Sequence, residues 1–301
     1  MKNYQAFGLS FESDMDLSPL RISEHQTPDV RIIRGAVSPT GLDKPKVTES
    51  FFQTAPNELW LDIPDIARFY VSDGNSVVVD PKTGADMDNI SLFLLGSCMG
   101  AIMYQRKRLV IHGNAIRFGN ECIVVAGASG AGKSTLAAAF VKRGYQVLAD
   151  DLSVIDAQGW VQPSYPQLKI WRDTANKLDI EVSGLNPIGL QVDKFAYPLR
   201  EQFYPSPLPL RAVYILHAKN QENLTLQAIV GMGKIKPLQR HSYRRDYIEG
   251  LGLNADHVKF CARIANQISL SRIARPIKGF DIDALIELIE GDIEGSRAAR
   301  E

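Results

Sequence analysis

Over the first eighty residues, apolar and polar positions alternate in short bursts, the two-residue period of strands buried on one face. Residues 30–33, 59–63, 68–71 and 76–79 each read as a strand, and Asp73-Gly74-Asn75 supplies hairpin turn chemistry between the last two. The pattern then changes. Residues 88–104 are almost continuously apolar and predict a buried helix, closed by Arg106, Lys107 and Arg108 at its C-terminal end. Strands follow at 109–116 and 122–126, separated by a Gly119-Asn120 turn. A helix is expected over 136–143, ended by Gly144, and then a strand over 145–149. Residues 152–155 alternate and predict a hairpin with residues 160–161.

Further on the signal weakens. Pro198, Pro205, Pro207 and Pro209 predict extended loop over 195–210. Strands resume at 212–216 and 224–229, and the tail predicts helices at 246–253, 256–270 and 281–290, with residues 294–301 frayed. In the last helix Ile282, Leu285, Ile286 and Ile289 form one apolar stripe. The expectation is an α/β chain with a mixed rather than purely parallel sheet. It divides into a β-rich region over 1–87 and a second domain over 88–301 whose C-terminal part is helical.

Composition narrows the setting. The 301 residues carry 34 basic and 34 acidic side chains, so no net field favours nucleic acid or an anionic membrane surface. Gly96 and Gly100 have the small-xxx-small spacing of membrane helices, but the uncharged run around them, 89–104, is short for a bilayer. It reads as a core helix. Cys98, Cys122 and Cys261 are scattered without metal-ligand spacing, which fits buried thiols in a reducing cytoplasm, and the first residues show no signal segment.

The chemistry is concentrated at Gly127-Ala128-Ser129-Gly130-Ala131-Gly132-Lys133-Ser134-Thr135. This is the phosphate-cradling P-loop, set between an expected strand and an expected helix as its mechanism requires. Glycines let the backbone N–H groups and the helix N-terminus face an anion. Lys133 would reach the β/γ-phosphates and the Ser134 hydroxyl would sit on Mg²⁺. Asp150-Asp151 ends the next strand, offering one carboxylate for a metal shell and one for an acceptor proton. His112, one strand upstream, could approach those carboxylates and fix the charge of a catalytic aspartate.

Ile111-His112-Gly113, the P-loop and Arg143-Gly144-Tyr145-Gln146-Val147-Leu148-Ala149-Asp150-Asp151, in this order, resemble the catalytic domain of the HPr kinase/phosphorylase family. Tyr165 to Asp173, Pro207 to Tyr214, His241-Ser242-Tyr243 and Arg275-Pro276 resemble its smaller relatives, the kinases of lasso-peptide precursors. The resemblance implies ATP and Mg²⁺, with Asp150 as general base paired to His112 and with Ser134 and Asp151 on the metal. It implies a serine hydroxyl on a peptide or small protein as acceptor, in the favoured case the C-terminal serine of a lasso precursor. An HPr-type carrier protein as acceptor and a nucleotide-sensing ATPase module remain alternatives, and an oligomer is possible. A family metal-binding glutamate aligns with Glu181, although Ser183 stands where the family signature has arginine. Lys169, Arg172, Arg200, Arg211 and Arg244 are the candidates for stabilising phosphoryl charge or, for Arg244, an acceptor carboxylate.

Overall fold

The computed structural model describes residues 1–24, 27–189, 193–277 and 281–298. Among these, the first eighty form a sheet in the order Arg21–Ile22, Lys2–Ala6, Leu9–Ser13, Val30–Arg34, Ser76–Pro81, Ala67–Ser72, Glu58–Ile63, Phe52–Ala55, Val47–Thr48. The four strands expected in this region are present, and five more join them. The first hairpin escapes sequence reading because its two-residue turn places Phe7 at φ 55°, a conformation rarely given to a bulky side chain.

The apolar run becomes one helix, Met87–Gln105, loosened by a π-turn over Leu94–Cys98. It is long and apolar enough to cross a membrane, yet 78% of its apolar window lies buried inside the fold. Ile90, Leu94, Met99 and Ile102 share one core with Phe11, Phe69 and Val77 of the first sheet and with Val110 and Val154 of the second. The helix beginning at Met87 thus ties both regions together. Gly96 and Gly100 leave room for another segment of this chain: a Cβ at Gly100 would lie 3.0 Å from Cδ1 of Tyr243. All three cysteines are buried and free.

The second sheet is built on a hairpin of Leu109–Phe118 with Glu121–Gly127, registered from Phe118↔Glu121 to Gly113↔Ala126. Glu121–Gly127 runs parallel to Leu208–Lys219, which runs parallel to Ser269–Pro276, with Thr225–Ala228 antiparallel at the edge. Helices Lys133–Lys142 and Ile282–Ala298 cover one face through Leu136, Phe140, Leu285, Ile286 and Ile289. Helix Asn254–Gln267 covers the other through Cys261 and Ile264. The mixed α/β expectation therefore holds, in three layers.

Besides Glu121–Gly127, Leu109–Phe118 has two further antiparallel partners. Val147–Ala149 pairs with its Ala115–Ile116 end, and Leu152–Ile155 pairs with Leu109 to His112. The chain crosses from one pairing to the other at Asp150 and Asp151, and Asp151 takes φ 61° to do so. This break in the ladder expels the acidic pair from strand geometry.

Three expectations need correction. Residues 256–270 were expected as one helix, but the helix stops at Gln267 and Ser269–Pro276 enters the sheet as a strand. The tail is therefore not uniformly helical. The break carries neither Gly nor Pro, and the following Leu270, Ile273 and Ala274 are wanted in the buried parallel ladder. The proline-rich stretch 195–210 contains the strand Lys194–Pro198, paired with Gln167–Trp171, and the start of Leu208–Lys219. Pro198 is tolerated as the last residue of a two-stranded ladder. The last helix runs to Ala298, so residues 294–298, expected to fray, are helical, while residues 299–301 lie outside the described residues.

Candidate active site

The P-loop leaves its strand at Gly127, where a Cβ would lie 2.5 Å from the carbonyl oxygen of Leu216 on the parallel neighbour. Only glycine permits that approach. Gly130 and Gly132 sit at φ 76° and 103°, curling the loop so that the helix starts at Lys133 with its first-turn N–H groups toward the concavity. The Lys133 ammonium donates to the carbonyls of Gly127 at 2.9 Å and Ala128 at 3.2 Å. Burial lowers its pKa. Ala131 turns its side chain into the core, whereas the other loop residues from Gly127 to Thr135 line the cleft. Thr135 is further tied to Thr174 by a 2.8 Å hydroxyl–hydroxyl contact. A cradle of this shape, closed to a Cβ and carrying a lysine at its helix start, fits a nucleotide phosphate.

Arg275, near the end of the strand Ser269–Pro276, braces this loop. Its Nε donates to the Ala131 carbonyl at 2.8 Å and one Nη to that of Gly130 at 3.3 Å. Arg275-Pro276 is among the segments that carry the sequence resemblance, but its contact with the loop spans over a hundred residues of sequence and has no local signal.

The acidic pair divides sharply. Asp150 is 5% exposed and is absent from the cleft wall. Its Oδ1 accepts from Nδ2 of Asn114, and its Oδ2 accepts from the Lys169 backbone N–H at 2.6 Å. Burial, then repulsion from Asp151, pushes its carboxyl up to about 7. Asp151 faces the cleft and forms an ion pair with Lys169 at 3.1 Å. Burial opposes its ionisation, but Lys169 and Lys194 outweigh that and hold the carboxyl well below the usual range. His112 also lines the cleft, and its Nδ1 meets the Asp151 carbonyl at 3.2 Å. Burial and then Lys133 lower its pKa, favouring a neutral ring. The expected pairing of His112 with Asp150 is therefore corrected: the break at Asp150–Asp151 brings His112 to Asp151, while Asp150 turns inward to Asn114. Gly113 allows this packing, because a Cβ there would lie 2.4 Å from the Val125 carbonyl. Asn114, a polar residue inside an apolar strand, was the one signal for its role.

The P-loop, His112, Asp151 and Lys169 line one cleft of about 1230 Å³. Its basic wall includes Lys169, Arg172, Lys194, Arg240, Arg244 and Arg275, against Asp151, Asp173 and Asp193. Arg172 is held by Asp193 at 2.7 Å, and the Lys194 ammonium lies 5.2 Å from the centre of the Trp171 ring. Arg244 lies at the exposed rim beside Tyr243, whose ring sits 5.6 Å from that of His112. The segment carrying them is fixed by backbone bonds from His112 N–H to the His241 carbonyl and from Tyr243 N–H to the Val110 carbonyl.

Three expected residues are elsewhere. Arg211 is buried against Glu121 and the Ile293 carbonyl, and Arg200 does not line the cleft. Glu181 is exposed, accepts from the Ser183 hydroxyl at 2.6 Å, and is also off the wall. Among the described residues no group of three His, Cys, Asp or Glu side chains could hold a metal.

No family model matches the sequence, and no curated protein does. Among solved structures, the chain is similar to the Hpr(Ser) kinase/phosphatase from Coxiella burnetii at 14% identity and a TM-score of 0.27, covering 64% of this chain and 97% of that one. Superposition this loose leaves the chemistry to be read from the cleft itself.

Proposed function

We propose that this protein is an ATP-dependent kinase that phosphorylates a serine hydroxyl on a peptide or small protein. The C-terminal serine of a lasso-peptide precursor is the acceptor that the sequence resemblance favours. One observation carries the reading: the carboxylate of Asp151, ion-paired with Lys169, stands on the same cleft wall as the P-loop lysine. A module that only sensed nucleotide would need phosphate contacts but no carboxylate directed at a hydroxyl.

The P-loop backbone, Lys133 and the Ser134 hydroxyl would hold Mg-ATP, water and phosphate oxygens completing the metal shell as Mg²⁺ prefers. Bound Mg²⁺ neutralises phosphate charge and orients the transferring group. Asp151 accepts the proton of the serine hydroxyl. Its low basicity is compatible with that task, because a loose phosphoryl-transfer transition state releases the proton late and needs the hydroxyl aimed first. Neutral His112 and Lys169 hold the Asp151 turn and charge, and Asp150 anchors the turn from within through Asn114 and the Lys169 N–H. This reading moves the base role from Asp150 to Asp151 and leaves Asp150, buried away from the cleft, no part in the metal shell.

The test measures nucleotide affinity and transfer separately in Asp150→Asn and Asp151→Asn. Asp151→Asn should keep nucleotide binding and lose about 10²–10⁴-fold in transfer. Full transfer in that variant would refute the base assignment. Loss of Mg²⁺-dependent binding instead would make Asp151 a metal ligand.

A further inference from the structure

Away from the nucleotide cleft, and sharing none of its wall residues, lies a second cavity of about 320 Å³ between the end of the long apolar helix and helix Asn254–Gln267. We propose that it binds a small anionic amphiphile, a carboxylate- or phosphate-headed molecule with an apolar body, and that its occupancy is felt at the nucleotide cleft.

The floor is apolar and aromatic. Tyr104 and His257 are buried with their rings edge to face, 6.1 Å between centres, and Leu253 and Phe260 extend the surface. The rim is cationic. Lys107 and Arg108 are engaged with Asp256 at 3.6 Å and Asp156 at 3.7 Å. Lys259 and Arg263, one helical turn apart, have no ion pair among the described residues. Four basic side chains against one acidic one surround this mouth, in a chain whose charges balance overall. Apolar depth beneath free cations suits a ligand with a hydrocarbon body and an anionic head. The volume is at the small end of ligand pockets, so the body is short.

The floor is also wired to the cleft. Tyr104 Oη donates to the Tyr243 carbonyl, and His257 Nε2 contacts the Ser242 hydroxyl at 3.0 Å. That hydroxyl donates to the Leu238 carbonyl, so the ring nitrogen is the donor in the second contact. Ser242 and Tyr243 both stand on the nucleotide cleft wall. A ligand pressing on Tyr104 and His257 therefore acts on the segment that packs against His112, and coupling between two sites is reciprocal. Only this coupling rests on the cleft binding nucleotide; the pocket itself does not.

The experiment titrates full-length protein with decanoate, octanoate, decyl phosphate, decanol and inorganic phosphate by calorimetry, then titrates a fluorescent ATP analogue with and without saturating decanoate. Decanoate and decyl phosphate should bind saturably, one per chain, and the relative strength of the two distinguishes a carboxylate from a phosphate head. Octanoate should bind about fifteenfold more weakly than decanoate, from about fourfold per buried methylene. Decanol and phosphate should bind far more weakly than either amphiphile. Lys259→Glu/Arg263→Glu reverses exposed charges and should weaken decanoate binding about tenfold or more while leaving the melting temperature in place. Ala157→Trp, on the exposed rim, should block binding. Absence of saturable binding, or binding indifferent to both variants, overturns the site. ATP-analogue affinity unchanged by decanoate, to within about fivefold, overturns the coupling. An analogue that fails to bind at all would instead refute the nucleotide reading, with the calorimetric result still deciding the pocket.

Discussion

Replacing Lys169 with methionine removes the cation that compensates Asp151 while keeping most of the side-chain volume. Lys169 is 9% exposed, and its ammonium lies 3.1 Å from the Asp151 carboxylate. At that separation the gross attraction is about 5 kcal/mol for an effective dielectric of about 20. Desolvation of the two groups offsets much of this in the intact pair, but deleting one partner leaves the other charge buried and unmatched, which costs about 3–5 kcal/mol. For a chain of this size that is a fall of about 5–8 °C in melting temperature. Denaturant unfolding of Lys169→Met, Asp151→Asn and the double variant closes the cycle. The double variant should be less destabilised than the sum of the singles by about 1–3 kcal/mol. A loss under about 1 kcal/mol for Lys169→Met, or additivity within about 0.5 kcal/mol, would mean that the pair is solvated and does not hold Asp151 ionised.

Other perturbations test neighbouring parts of the structure. Gly100→Ala places a methyl 3.0 Å from the Tyr243 ring and should destabilise by about 1–3 kcal/mol, with Tyr243→Ala relieving part of the loss in thermal melts. Arg275→Met removes the brace on Gly130 and Ala131 and should weaken binding of an ATP analogue about tenfold, with Arg275→Lys intermediate; unchanged affinity would make the arginine a passive wall residue. Burial lowers His257 to about 4, from an ordinary value near 6.5. The unfolded chain then binds the proton more readily, so stability is whole above about pH 6.5 and falls by up to about 1.4 kcal/mol per pH unit toward pH 4. His257→Gln should flatten that slope in urea titrations across pH 4–7, and an unchanged slope would contradict the assignment.

The P-loop hairpin was legible because its determinants are contiguous: strand, glycine loop and helix follow one another, and the Gly119-Asn120 turn fixes the partner strand. The hairpin turns at Asp73 to Asn75 and at residues 156–159 were legible for the same reason. What the sequence hid depends on distance. The helix expected to 270 runs over the start of Ser269–Pro276, whose strand character shows only once Leu208–Lys219 is beside it to accept a parallel ladder. Lys194 and Arg275 acquire roles, and Lys169 its partner Asp151, only when chain segments far apart in sequence converge on the cleft. The two aspartates are indistinguishable as letters. Which one faces the cleft is decided by the φ 61° turn at Asp151 and by Asn114, a residue whose burial was needed to give it meaning. The Gly96/Gly100 pattern, familiar from helix dimers, here makes space for the Tyr243 side chain.

The central claim is best tested by incubating the protein and its Asp151→Asn variant with Mg-ATP and two acceptors, a precursor peptide ending in serine and an HPr protein, and reading intact masses. The expected result is a gain of about 80 Da, or multiples of it, on the peptide with the native protein only, nucleotide binding being retained by the variant. Transfer to HPr alone would move the acceptor to the carrier-protein class. No gain on either acceptor while ADP is released, or equal transfer by the variant, would contradict a serine kinase built on Asp151.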